Sequence, residues 1–141
     1  MATTRHATTH WEGSLFEGSG RVNLDSSGRG AFDVTWASRA EDPRGRTSPE
    51  ELIAAAHSSC FSMALSNALA KSGHAPKTLD TTADVTFQPG EGITRIHLTV
   101  RGVVDGLSAQ EFTDAAENAK ANCPVSKALA GTTITLTATL S

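Results

Sequence analysis

The chain has 141 residues and a net charge of −3, so it lacks the basic excess that attracts nucleic acid or anionic membranes. Hydrophobic residues make up 38% of it and aromatic ones 5%, without any tyrosine, which predicts a single domain over residues 1–141 with an aliphatic core. No run of eighteen apolar residues occurs, and residues 1–11 lack the apolar centre of a signal peptide. We therefore expect a cytoplasmic protein without a membrane span.

The first third of the chain predicts a three-stranded meander followed by a loop. Strands are expected over residues 11–16, 21–24 and 31–36, with turns between them. Residues 38–47 are polar and contain Pro43 and Gly45, so they are interpreted as an exposed loop.

A long central helix is predicted over residues 48–73. Ser48 is the expected cap, Pro49 fits the first helical position, Glu51 completes a capping box, and Gly73 is the expected stop. Apolar residues surround nearly the whole helix, and such a helix is normally buried. They are Leu52, Ile53, Ala54, Ala55, Ala56, Phe61, Met63, Ala64, Leu65, Ala68 and Leu69.

The second half predicts a hairpin, a capped helix and a closing strand. The hairpin covers residues 79–87 and 93–104, and its alternating pattern is typical of a half-solvated antiparallel pair. Ser108 and Glu111 form a capping box for a helix over 109–122. A short helical turn over 127–130 and a strand over 132–140 complete the order βββ-α-ββ-α-β, a mainly antiparallel α+β fold.

One sheet can cover only one side of an apolar central helix. We therefore expect a second copy of the chain to pack its own central helix against this one, as a two-fold homodimer. The alternative is a monomer in which the second helix covers the gap.

The two cysteines are Cys60, in the middle of the central helix, and Cys123, directly before Pro124. Cys60 is either a small buried hydrophobe or a thiolate nucleophile, which needs a cation because a thiol pKa is normally about 8.5. Candidate cations are Arg21, Arg39, Arg44 and Arg46. Cys123 is either a packing residue or a partner thiol for Cys60 across 62 residues of chain. Zinc-ligand spacing is absent, so neither a metal nor a cofactor is expected.

Two further polar residues on the helix could serve Cys60. Glu50 has no capping role once Glu51 is assigned one, and a carboxylate can hold an arginine beside a thiolate. Ten residues of one helix keep Glu50 about 15 Å from Cys60, whereas antiparallel central helices would bring Glu50 of one copy to Cys60 of the other. The site is therefore predicted to include both subunits. His57, at i−3 from Cys60, is either its ion-pair partner or a packed core histidine.

The segments around the two cysteines resemble the cysteine motifs of the OsmC/Ohr family (osmotically inducible protein C and organic hydroperoxide resistance proteins). Residues 47–65 read TSPEELIAAAHSSCFSMAL, and residues 119–126 read AKANCPVS. The segments WEG at 11–13 and LDTTA at 79–83 resemble the OsmC branch.

The resemblance implies an intertwined homodimer and a thiol-dependent peroxidase that reduces organic hydroperoxides and hydrogen peroxide in stress defence. By that likeness Cys60 attacks the peroxide and becomes a sulfenic acid, Cys123 resolves it as a redox-active disulfide, and an external dithiol, thioredoxin-like or lipoyl, reduces that bond. An arginine held by Glu50 activates Cys60. It corresponds to Arg39 by the OsmC pattern, or to Arg21 by the Ohr pattern, and we expect Arg39.

An apolar hydroperoxide is expected to reach the thiol along the aliphatic helix surface formed by Leu52, Ile53, Phe61 and Met63. Two other functions remain open at this point. One is a non-catalytic ligand-binding stress module with an inert buried thiol. The other is a hydrolase that uses a Cys60–His57 pair, for which no oxyanion hole is evident.

Overall fold

The computed structural model describes residues 1–141, which form two compact units, Met1–Leu52 and Ile53–Ser141. The first unit contains a three-stranded antiparallel sheet in the order β1-β2-β3, formed by β1 (Thr8–Glu12), β2 (Ser19–Asn23) and β3 (Ala31–Val34). The predicted meander is thus confirmed. Its first strand was predicted too late in the chain, because Gly13 has a φ of 91° and begins a turn.

A short helix, α1 (Trp36–Ala40), replaces the end of the predicted third strand and the start of the predicted loop. Thr35 caps it, and the Thr35 and Ser38 side chains each accept from the other's backbone N–H. This reciprocal cap satisfies the N-terminal amides that would otherwise lack partners. The prediction was wrong here because a Thr-x-x-Ser pair is a weaker signal than one ending in Glu or Gln. The helix carries Arg39.

The central helix, α2 (Pro49–Lys71), is confirmed with nearly its predicted bounds. The Glu51 backbone N–H donates to Ser48 Oγ at 3.1 Å. The Glu51 carboxylate accepts from Thr47 Oγ1 at 2.6 Å, so the predicted use of this side chain in a capping box differs from the contact observed. The helix ends just before Gly73, which has a φ of 88°.

The second unit contains a three-stranded sheet in the order β4-β5-β6. The strands are β4 (Thr78–Gln88), β5 (Gly92–Val103) and β6 (Thr133–Leu140). The β4–β5 hairpin is antiparallel as predicted, whereas β6 lies parallel to β5. A parallel pair needs a long crossover, which α3 (Ala109–Asn122) and α4 (Pro124–Ala128) provide. The mainly antiparallel α+β fold is confirmed.

The core of the second unit is formed by one face of α2, the inner face of β5, and α3. Its buried members include Phe61, Leu65, Leu69, Ile96, Leu98, Val100, Phe112, Ala116, Ala119 and Cys123. Burial of such side chains contributes about 1.5–3 kcal/mol each. Cys123 therefore lies at the end of α3 in a position determined by the packing of the whole unit.

The opposite face of α2 is exposed in the single chain. Met63 is 72% exposed, and Ala55, Ala56 and Ser59 are exposed with it. One chain therefore does not bury this helix on all sides. Length and hydropathy alone would let α2 span a membrane, but its other face packs in the protein core.

Candidate active site

The first unit contains a closely paired arginine and glutamate. Arg39 of α1 donates to Glu50 through Nε, at 3.0 Å to Oε1 and 3.2 Å to Oε2, and through Nη2 at 2.9 Å to Oε2. The Glu50 side chain is only 8% exposed and that of Arg39 30%. A buried carboxylate needs such a partner, and the forked contact fixes the plane of the guanidinium. Glu50 therefore holds the Arg39 guanidinium in a fixed orientation.

The other candidate arginines lie in more exposed contacts. Arg21 donates to Asp33 at 2.9 Å, with the two side chains 53% and 60% exposed. Arg44 lies 3.8 Å from Asp42, and both are strongly exposed. Exposed ion pairs such as these contribute little to stability or orientation. Arg39 is thus the candidate arginine that pairs with the buried Glu50.

The second unit brings the two cysteines together. Cys60 of α2 is half-buried, Cys123 at the start of α4 has no exposed surface, and both are free thiols. The two thiols lie close enough for each to influence the pKa of the other. Only one of the two sulfurs therefore reaches the surface of the chain, and that sulfur belongs to Cys60.

The surroundings shift the pKa values of the two thiols in opposite directions. Burial raises the pKa of Cys60, the Val125 backbone N–H lowers it, and Cys123 raises it further. At Cys123 burial also acts to raise the pKa, but the Ser126 backbone N–H, Cys60 and the Ser126 hydroxyl outweigh it, and the pKa is lowered. Burial and the neighbouring Cys123 thus both act against ionisation of the Cys60 thiol.

His57 hydrogen-bonds to Ser126. Its Nε2 lies 2.7 Å from Ser126 Oγ, and both residues are buried. Its Nδ1 is buried without a hydrogen-bond partner. Burial lowers the pKa of His57, so the ring is neutral at physiological pH. The packed-histidine interpretation fits these contacts, and the bond to Ser126 removes the main argument for a Cys60–His57 hydrolase.

Neutral burial of His57 predicts a loss of stability in acid. The unfolded imidazole takes up a proton near pH 6.5 and the folded one only at lower pH. Between these values the unfolded state binds more protons, so stability falls as the pH falls, by up to about 1.4 kcal/mol per pH unit. Urea unfolding of wild type and His57→Gln at pH 7.5 and pH 5 should show a smaller acid loss in the variant. Equal losses would contradict neutral burial.

The four residues predicted to contact substrate lie in different environments. Leu52 and Ile53 are half-buried, and Met63 is exposed. Phe61 has no exposed surface and packs in the core of the second unit, which favours a packing role. No group of three or more His, Cys, Asp or Glu side chains could hold a metal ion.

Sequence reasoning missed Ser126. The residue is buried and influences the pKa of Cys123 through both its backbone and its hydroxyl. Cys123 is the N-cap of α4, with Pro124 in the first helical position. A cysteine before a proline at a helix start, with serine three residues later, is a signal that could have identified Ser126.

Comparison with known proteins identifies the family. A model of the family described as OsmC-like protein matches residues 41–138. The chain belongs to the OsmC-like protein family. Peroxiredoxin OsmC of Escherichia coli (strain K12) is 41% identical over 132 residues, covering 92% of each chain, and Peroxiredoxin OsmC of Shigella flexneri matches equally well.

Solved structures show the same OsmC-like fold. An organic hydroperoxide resistance protein OsmC from Legionella pneumophila aligns with a TM-score of 0.72 at 22% identity, covering 100% of this chain and 98% of that one. An organic hydroperoxide resistance protein from Elizabethkingia anophelis aligns with a TM-score of 0.66 at 25% identity, covering 100% and 99%. The resemblance inferred from the two cysteine motifs is thereby confirmed.

Proposed function

We propose that this OsmC-like chain reduces hydroperoxides through a sulfenic acid on Cys60 and a disulfide between Cys60 and Cys123. The relationship to Peroxiredoxin OsmC makes it a hydroperoxide-reducing redox enzyme of stress defence. The observation that carries the proposal for these residues is the pair of adjacent free thiols, one accessible and one buried.

Exposure decides the order in which the thiols react. Cys60 reaches the surface and Cys123 does not, so a peroxide meets Cys60 first. Because the two thiols influence each other's pKa, Cys123 lies near enough to attack the oxidised sulfur. Organic hydroperoxides and hydrogen peroxide are both proposed as substrates, and the half-buried Leu52 and Ile53 and the exposed Met63 as apolar contacts for the former.

Activation of Cys60 is proposed to come from a second subunit. Burial raises the pKa of Cys60, so a cation is needed to stabilise its thiolate. The Arg39 guanidinium is held in place by Glu50, and the spacing along one helix argues against its serving the same chain's thiol. In a two-fold dimer, each pair would complete the thiol site of the partner. The exposed face of α2, with Met63 at its centre, is the proposed contact between the two copies.

The proposed cycle has three balanced steps. The Cys60 thiolate attacks the distal peroxide oxygen, and a new S–O bond replaces the O–O bond, which gives the sulfenic acid. The departing alkoxide takes up the proton that the Cys60 thiol lost on ionisation and becomes an alcohol. Cys123 then attacks the sulfenic sulfur, an S–S bond replaces the S–O bond, and water leaves. An external dithiol, thioredoxin-like or lipoyl, reduces the disulfide and is itself oxidised. Arg39 stabilises the thiolate and the leaving oxygen.

The direct test is mass spectrometry of the denatured chain after one equivalent of cumene hydroperoxide. We expect a loss of two hydrogens within a single chain, a Cys60–Cys123 bond in the peptide map, and recovery of both thiols with dihydrolipoamide. A chain left unmodified would contradict the proposal and would favour the inert-thiol alternative. The cytoplasm is the proposed location, since a reducing compartment keeps both thiols available.

Cys123→Ser should still complete one turnover and then stop. The Cys60 sulfenic acid forms but has no partner thiol, so further peroxide oxidises it to a sulfinic acid. Stoichiometric alcohol release, followed by a sulfinic mass on Cys60, is the expected result. Sustained turnover at the wild-type rate with a dithiol would show that Cys123 is not the resolving thiol.

A further inference from the structure

A chain of polar contacts leads from α2 to the buried sulfur of Cys123. His57 lies one turn before Cys60 and reaches Ser126 Oγ through Nε2 at 2.7 Å. Cys123 is the residue that precedes α4, and Ser126 is the third residue of that helix, so the first turn places Ser126 beside Cys123. There its backbone N–H and hydroxyl lower the pKa of the Cys123 thiol. The order along the chain of contacts is thus His57, Ser126, Cys123.

The unpartnered nitrogen of His57 determines the direction of these hydrogen bonds. The ring is neutral, so one nitrogen carries a proton and the other accepts. Nδ1 is buried without a partner, and an orphaned N–H is rarer in proteins than an under-satisfied acceptor. The proton is therefore placed on Nε2, which donates to Ser126 Oγ. The Ser126 hydroxyl proton is then available to the Cys123 sulfur.

We propose that Ser126, oriented by His57, is the positioning residue of the resolving step, directing its hydroxyl proton at the Cys123 sulfur so that it reacts as a thiolate. This role rests on the proposed function. Cys60 is the only titratable side chain among the influences on the pKa of Cys123.

The resolving step forms the disulfide and releases water. The Cys123 thiolate donates an electron pair to the sulfenic sulfur of Cys60, the S–S bond forms, and the S–O bond breaks. Hydroxide leaves and takes up the proton that the Cys123 thiol lost, giving water. The Cys123 sulfur is oxidised and the Cys60 sulfur is reduced.

The same contact has a consequence for reduction of the disulfide. Cys60 is the accessible sulfur, so an external thiolate attacks there and Cys123 departs as the leaving thiolate. A leaving thiol of lower pKa departs faster, so Ser126 assists both formation and reduction of the bond.

The first test measures the acidity of Cys123 without any peroxide. In Cys60→Ser the sole thiol is Cys123, and its ionisation is followed by thiolate absorbance against pH. Adding Ser126→Ala should raise its apparent pKa by about one unit, since hydrogen bonds to charged groups are the strong ones. Ser126→Thr retains the hydroxyl and should restore the lower value. No shift with alanine, or the same shift with threonine, would overturn the proposal.

The second test measures resolution in the otherwise wild-type chain. After excess cumene hydroperoxide, mass spectrometry gives the ratio of sulfinic Cys60 to Cys60–Cys123 disulfide. That ratio should rise about tenfold in Ser126→Ala and in His57→Leu, and less in His57→Gln, whose amide can still donate to Ser126. The matched control is Ser62→Ala, because Ser62 is a half-buried serine of α2 whose hydroxyl donates to Thr81 at 2.7 Å and contacts neither cysteine. Wild-type ratios in both Ser126→Ala and His57→Leu would overturn the proposal.

The two tests separate this inference from the function on which it rests. If wild type forms neither sulfenic acid nor disulfide, the proposed function fails, whereas the acidity of Cys123 still tests Ser126. If Ser126→Ala does not fold, the pKa of Cys123 is compared between His57→Leu and His57→Gln, each combined with Cys60→Ser. Equal pKa values of Cys123 in these two proteins would overturn the proposal.

Discussion

Cys60→Ser is expected to reduce hydroperoxide consumption to the uncatalysed level, a loss of at least about a thousandfold, because the thiolate is the nucleophile and a serine hydroxyl does not replace it. Turnover is measured as consumption of cumene hydroperoxide with dihydrolipoamide as the reductant. Cys60 lies half-buried on α2, so the substitution changes one atom with little effect on packing.

Ser62→Ala is the control for Cys60→Ser, because Ser62 is a half-buried residue of the same helix. It should retain turnover within about twofold, as expected for a substitution away from special features. Unchanged turnover in Cys60→Ser would rule out the proposed chemistry, whichever residues surround the thiol. In that case, an alkylation assay in which Cys60 of the wild-type protein does not react would support the inert-thiol alternative.

Arg39→Met should lower turnover by about a hundred- to a thousandfold, the usual cost of removing one preorganised group that stabilises developing charge. Arg39→Lys should show similarly low turnover, since the forked contact with Glu50 needs a planar guanidinium. The pH dependence of the first oxidation should move to higher pH in both variants, because the cation stabilises the thiolate. Rapid-quench measurement of Cys60 oxidation against pH provides this readout.

Arg21→Met provides the comparison for Arg39→Met. Its exposed contact with Asp33 predicts turnover close to wild type. If turnover fell strongly in Arg21→Met but stayed near normal in Arg39→Met, the arginine that activates Cys60 would be Arg21, as in the Ohr-like alternative.

Mixed dimers test whether the site includes both subunits. Cys60→Ser and Arg39→Met chains, co-expressed with different tags, give a mixed dimer with one complete site if Arg39 serves the partner's thiol. Such a dimer should recover about half of wild-type turnover, as the symmetry of a two-site dimer requires. If Arg39 serves its own chain, both sites stay defective and turnover stays at the level of the single variants.

Local sequence signals predicted most of the secondary structure. The α3 bounds agree with the prediction because Ser108 and Glu111 form both halves of a capping box. The α2 bounds agree closely because Pro49 and Gly73 limit the helix at each end. The prediction failed at α1, where the cap uses Ser38 in place of an acid, and at the first strand, where the turn begins at Gly13.

The sequence by itself determined the family and the candidate residues for the proposed chemistry: two cysteine motifs, a glutamate without a capping role, and an arginine shortly before the helix. Those are properties of residue type and spacing, and they are local. Only the tertiary structure decided which sulfur is accessible, that Glu50 pairs with Arg39, and that His57 contacts Ser126. The His57–Ser126 contact joins residues 69 positions apart, and it exists because packing within the second unit fixes where each side chain lies.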